Sequence, residues 1–113
     1  MASRRDAEEQ KAADALAALG SRTRLRVFKA LVRAGPQGVN IGTLQRHLGV
    51  PATTLSHHLT TLSHAGLLSQ QRVGREVICT ADYKALHWVL EYVEAECCEG
   101  IENGASERAK VEA

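Results

Sequence analysis

Cys97 and Cys98 stand side by side in the run Glu94-Ala95-Glu96-Cys97-Cys98-Glu99. Adjacent thiols form a soft donor pair, which selects thiophilic centres over hard cations. Two other readings compete with a soft-ligand site. A disulfide between neighbours would have to distort a helix, and the acids around the pair together with the negative helix end disfavour the reactive thiolate. A ligand can still displace the thiol protons. Cys97 also falls on an apolar helical stripe, where a cysteine serves as a small core residue. The remaining cysteine, Cys79, reads as packing in a strand. Three cysteines, an odd count, give no disulfide framework.

A second set of side chains could do different chemistry. Between Pro51 and Gly66, Leu55, Leu59 and Leu62 repeat at helical spacing. At 100° per residue Thr53, His57, Thr60 and His64 fall on the opposite face, flanked by Thr54 and Ser56. These hydrogen-bonding side chains of moderate length can reach base edges in a major groove. A face built only for solubility would more often carry Glu and Lys, and this one has neither. His57 and His58 point about 100° apart on a helix, so they do not easily hold one metal ion. No arginine follows any cysteine six residues on, and no Gly-rich phosphate loop or carboxylate pair supports an enzyme.

The elements that must position these residues are legible in outline. A first helix is expected from Asp6 to Leu19, with Ala12, Ala13, Leu16 and Leu19 inward, ended by Gly20. Ser21 caps a second through Ala34, with Leu25, Phe28, Leu31 and Val32 as its stripe. Gly35-Pro36-Gln37-Gly38 breaks the pattern, and Asn40 caps a short helix from Ile41 to Leu48. A tight turn at Gly49-Val50-Pro51 leads into the threonine- and histidine-faced helix. Leu67 to Val73 and Glu76 to Thr80 form a hairpin around Gly74-Arg75, placing Arg72 and Arg75 where a wing meets phosphate or the minor groove. A last helix is expected from Asp82 to Glu99, with Leu86, Val89, Leu90, Val93 and Cys97 as its stripe. The fold class is therefore mainly α with a β-hairpin wing, a winged helix-turn-helix in the order ααααββα. One domain over 1–100 and a flexible polar tail over 101–113 account for the length.

Charge supports a polyanion partner. Residues 1–75 hold eleven basic and four acidic residues, a balance of +7, and residues 76–113 hold three and nine, a balance of −6. No acid occurs from Ala15 to Arg75, a stretch containing Arg22, Arg24, Arg26, Lys29, Arg33, Arg46, Arg72 and Arg75. No apolar run is long enough to span a membrane, and the first twenty residues lack a signal-peptide core, so a cytoplasmic location is expected.

The pieces ALGSRTRLRVFKAL, TLSHHLTTLSHAGLL and VGREVIC together resemble the ArsR family of winged helix-turn-helix repressors, from about Ala12 to Glu99. The resemblance implies a homodimer built on the first and last helices. It also implies a near-palindromic DNA operator and release of DNA when an inducer binds. Dimerisation has an independent argument: one recognition helix reads too few base pairs for specificity, and nothing later in the chain covers the last helix.

Members that sense inorganic arsenic through the third helix carry a Cys-x-Cys pair there; GTLQRHLG has none. Zinc-sensing members need a carboxylate and several histidines along the last helix, and Asp82 with His87 does not supply them. Other members place arsenic-binding thiols where Cys97 and Cys98 stand. Here no third thiol follows. Two sulfurs complete a trivalent arsenical that already carries carbon, so methylarsenite fits at least as well as arsenite.

The expectation is a cytoplasmic homodimeric repressor of double-stranded operator DNA, with no cofactor and no enzymatic activity. Thr53, Thr54, Ser56, His57 and Thr60 would meet the major groove, with Arg72 and Arg75 acting from the wing. Cys97 and Cys98 would take the trivalent arsenical. The alternatives are a thiol-redox or persulfide switch on the same frame, and a constitutive DNA-binding protein without inducer.

Overall fold

The computed structural model describes residues 3–101. Its elements run α1 (Arg4–Leu19), α2 (Arg22–Ala34), β1 (Val39–Asn40), α3 (Ile41–Leu48), α4 (Ala52–His64), β2 (Leu68–Val73), β3 (Glu76–Ala81) and α5 (Tyr83–Glu94). The expected tail lies outside the described residues from residue 102 onward.

Caps set most of the helix starts. Ser3 and Asp6 form a capping box that opens α1 two residues earlier than expected. Ser21 Oγ accepts from the Arg24 N–H to start α2, and Asn40 Oδ1 accepts from the Thr43 N–H at 2.7 Å to start α3. Gly49, at φ 67°, closes α3 in the left-handed conformation and sends the chain into α4.

The core lies between α2, α3, α4 and the inner side of the sheet. Val27, Leu31, Leu44, Leu55, Leu59, Leu62, Leu67, Cys79 and Val89 are fully buried there. The predicted stripe of α4 is this core's centre. Those of α1 and α2 are rotated from expectation. Ala12, Ala15 and Ala18 turn inward while Leu16 is 44% exposed, and α2 buries Val27 rather than Leu25 or Val32. Small alanines let α1 approach closely, and α1 then rotates to the face that permits it.

The sheet has three strands in the order β1-β3-β2, all antiparallel. The hairpin matches expectation; β1 is an addition to it. Val39 pairs with Cys79 and Asn40 with Ile78. Gly38, at φ +76°, makes this possible: a Cβ there would lie 2.7 Å from the Cys79 carbonyl oxygen. A two-residue strand carries no periodicity, so only its partner reveals it. β1 ties the start of α3 to the wing strand, and so sets the orientation of the helix-turn-helix.

α5 ends at Glu94, five residues short of the expected end. Residues 95–98 form turns, and Cys98 adopts φ 65°. Glu91 and Glu94 in the last turn oppose the helix dipole. The stripe has also run out of core to bury it: Val89 is buried, but Leu90 is 50% and Val93 61% exposed. Cys97 is therefore off the helix and exposed, which removes the reading of it as a core residue of the protomer.

Candidate nucleic-acid interface and thiol pair

α4 presents the polar face the sequence implied. Thr53, Ser56, His57, Thr60 and His64 are exposed and Thr54 is half-buried, opposite the buried leucines. The helix carries no acidic residue in its first turn, and Pro51 at its start makes no side-chain cap. Its first N–H groups therefore have no capping side chain, and the positive end of the dipole faces outward. The Thr61 hydroxyl donates back to the His57 carbonyl within the helix.

The two histidines have separate environments. His57 is exposed, with its ring centroid 5.7 Å from that of His58. His58 is half-buried beneath it, and its Nδ1 is buried without a hydrogen-bond partner. Burial, then the charge of Arg24, then His57 hold its pKa below the ordinary histidine value. Arg24 is fixed there by donating to the Ala18 carbonyl at 2.8 Å, which links the start of α2 to the end of α1.

The wing is a ribbon exposed along most of its length. Every residue of β2 after Leu68 is exposed, and Arg72 and Arg75 stand at its outer end. Val73 pairs with Glu76, which leaves a two-residue loop whose first residue, Gly74, has φ 63°. On the other strand Cys79 is fully buried; burial pushes its thiol pKa up, while a side-chain hydrogen bond with Gln70 pulls the other way. It is a packing residue.

Cys97 and Cys98 are both exposed, with their Sγ atoms 3.2 Å apart. The hydrogen bond to Cys98, and then desolvation, keep the Cys97 thiol pKa above its usual value. Among the described residues no cluster of three or more His, Cys, Asp and Glu side chains could hold a metal ion. Beside the pair, Arg5, Glu8 and Glu9 of α1 face Tyr92, Val93 and Glu96 across a cleft of about 380 Å³. α1 and α5 are joined further along by Lys11, whose Nζ lies 4.2 Å from the Trp88 ring centre. Trp88 stacks in turn on Tyr92. Apolar spacing does not reveal that the thiols lie beyond α5; the four glutamates between residues 91 and 99 are the signal that could have done so.

Comparison with known proteins agrees with this architecture. A family described as a helix-turn-helix domain matches residues 19–71, from the end of α1 into β2. No curated protein matches the chain. An ArsR-like transcriptional regulator from Rhodococcus sp. RHA1 is similar in structure, with TM-score 0.72 and 26% identity, over 80% of this chain and 83% of that one. The homodimeric winged helix-turn-helix DNA-binding domain of a possible ArsR-family regulator from Mycobacterium bovis aligns at TM-score 0.67 and 21% identity, over 86% and 90% of the two chains. The transcriptional repressor BigR from Xylella fastidiosa aligns at TM-score 0.60 and 25% identity, over 85% and 98%. Among the described residues no helix is long and apolar enough to cross a membrane. The chain thus carries a helix-turn-helix domain over residues 19–71 and folds as a winged helix-turn-helix similar in structure to ArsR-type transcription regulators.

Proposed function

We propose that this protein is a cytoplasmic, homodimeric repressor released from its operator when Cys97 and Cys98 bind a trivalent organoarsenical. The observation that carries the inducer is the thiol pair itself: two exposed sulfurs 3.2 Å apart at the end of α5. Two bonds of about 2.3 Å, the length of a zinc–thiolate bond, span that separation at roughly a right angle. Such an angle suits a pyramidal trivalent centre better than a tetrahedral metal. The likeness to ArsR-type regulators supports the frame on which such a site would act.

The chemistry balances without an oxidant. Methylarsenous acid forms two arsenic–sulfur bonds and loses two hydroxyls, which leave as water with the two thiol protons. A thiol held protonated, as Cys97 is, therefore does not obstruct the reaction. Arsenite would keep one hydroxyl, with no third sulfur beside the pair to replace it.

In this reading Thr53, Thr54, Ser56, His57 and Thr60 meet base edges and phosphates of the major groove, and the uncapped start of α4 offers N–H donors to phosphate. Arg72 and Arg75 reach from the wing. The second copy covers the apolar residues that α1 and α5 leave exposed, Leu16, Leu90 and Val93. Ligation next to that seam changes the spacing of the two recognition helices, with a coupling of about 1–3 kcal/mol.

The test is fluorescence anisotropy on a duplex selected from random sequence, with methylarsenite, arsenite, peroxide and polysulfide. Release by methylarsenite, lost in both Cys97→Ser and Cys98→Ser and reversed by a competing dithiol, is the expected result. Release that survives either substitution would sink the assignment. Release by peroxide or polysulfide alone would favour the redox alternative.

A further inference from the structure

We propose that the outer face of α2 is a second phosphate-binding surface, which holds duplex DNA flanking the segment read by α4. The surface consists of Arg22, Arg26, Lys29 and Arg33, all exposed. Their spacing places them within about 60° of one another around the helix. Val27, Phe28 and Leu31 occupy the opposite side and are buried. The core therefore fixes the direction in which this ridge points. The proposal rests on the DNA-binding reading of the fold and is independent of any inducer.

The ridge is at odds with its own helix. Arg22 and Arg26, and again Lys29 and Arg33, are like charges four residues apart, and Arg26 and Lys29 are three apart; such pairs weaken a helix. Arg22 also sits at the positive end of the helix dipole, with no acid in the first turn to offset it. No acid occurs within reach in sequence, and the only ion pair among the described residues is Arg4 with Glu8, on another helix. A solvated face has no need of this arrangement, whereas a polyanion neutralises it.

Its position identifies the polyanion. Arg26, Lys29 and Arg33 line a cleft of about 250 Å³ together with His47 and Leu48, the last residues of α3. From there Gly49, Val50 and Pro51 lead directly to the start of α4. The ridge thus adjoins the end of α3, beside the turn that leads into the recognition helix. A duplex seated on α4 that runs on past the end of α3 brings its backbone toward this cleft. The ridge carries charge without the short polar side chains that read bases, so it adds affinity and not sequence preference.

The experiment compares two duplexes on the full chain without inducer. One is the shortest selected duplex that binds; the other is extended at each end by about one helical turn of unrelated sequence. Affinities are measured by anisotropy across a salt series for the parent and for Arg26→Gln/Lys29→Gln/Arg33→Gln. The parent should bind the long duplex several-fold more tightly, with a steeper salt slope by about 0.9 for each added contact. The variant should lose that gain while binding the short duplex as the parent does. Arg26→Lys/Arg33→Lys, which keeps the charge, should retain it. Lys29→Gln alone, with part of the same loss, serves if the triple variant melts early. No gain with length in the parent, or equal weakening on both duplexes, would overturn the proposal.

Discussion

Gly38→Ala tests the least visible element of the fold, the two-residue strand that holds α3 to the wing. A Cβ at this position would lie 2.6 Å from Thr80 Oγ1, 2.7 Å from the Cys79 carbonyl oxygen and 2.7 Å from Ile78 Cγ2. The threonine can rotate away. The carbonyl cannot, because Cys79 is fully buried and paired with Val39. Gly66→Ala is the matched control. It too has a positive φ, +78°, but nothing lies within 4 Å of its Cβ. The left-handed backbone costs each alanine about 1–2 kcal/mol. Reduced freedom of the unfolded chain offsets about 0.4–1 kcal/mol of this. Gly66→Ala should therefore lose about 1 kcal/mol. Gly38→Ala adds an overpacking cost of about 1–3 kcal/mol. The difference, about 2 kcal/mol, corresponds to a melting temperature lower by about 8–16 °C for a domain of this size. The assay is thermal unfolding at one fixed protomer concentration, since the midpoint of a dimer moves with concentration. Where both variants are folded, Gly38→Ala should also bind DNA more weakly, because α3 loses its tether. Equal melting of the two variants would refute the argument that β1 is closely packed on β3.

Three further outcomes follow from the geometry. Asn40→Ala removes the cap on the Thr43 N–H and should cost about 1 kcal/mol in a urea melt. Arg75→Ala should weaken DNA binding on every sequence and lower the salt slope by about 0.9; an unchanged slope would remove the wing tip from the interface. His58 resists protonation in the folded state, so below about pH 6.5 the unfolded chain takes up a proton that the folded one refuses. Its contribution to stability is therefore present above that pH and lost as the pH falls toward its lowered folded value. His58→Gln should flatten the fall in urea midpoint over that acid window, and an unchanged pH profile would show that His58 is not its source.

Much of the DNA-reading half is legible in the amino-acid sequence. Leu55, Leu59 and Leu62 at helical spacing make Thr53, His57 and Thr60 an outward face, because a helix has one periodicity and only one side to bury. Asn40 and Ser21 as caps, Gly49 as a stop, and Gly74-Arg75 as a hairpin loop are local chemistry, decided within a few residues. The half that carries the thiol pair is less legible. The expected end of the last helix rests on apolar spacing alone. That spacing promises burial which the protomer does not provide beyond Val89. The glutamates near the cysteines oppose the negative end of the helix and so favour its early end.

By itself the chain determined its caps, its turns, the buried leucines of α4, and the split between a basic portion with the helix-turn-helix and an acidic portion with the thiol pair. These depend on neighbours in sequence, whose distances the covalent geometry sets. Tertiary structure alone decided that α1 buries Ala15 and Ala18 and turns Leu16 outward. It also decided that Val39 and Asn40 become a strand, and that Cys97 and Cys98 lie exposed beyond α5 with their sulfurs 3.2 Å apart. Each of these depends on a partner distant in sequence: a close-packed helix, a strand some forty residues on, or the limit of the core. Where a residue's environment is supplied from elsewhere in the chain, no local pattern can state it.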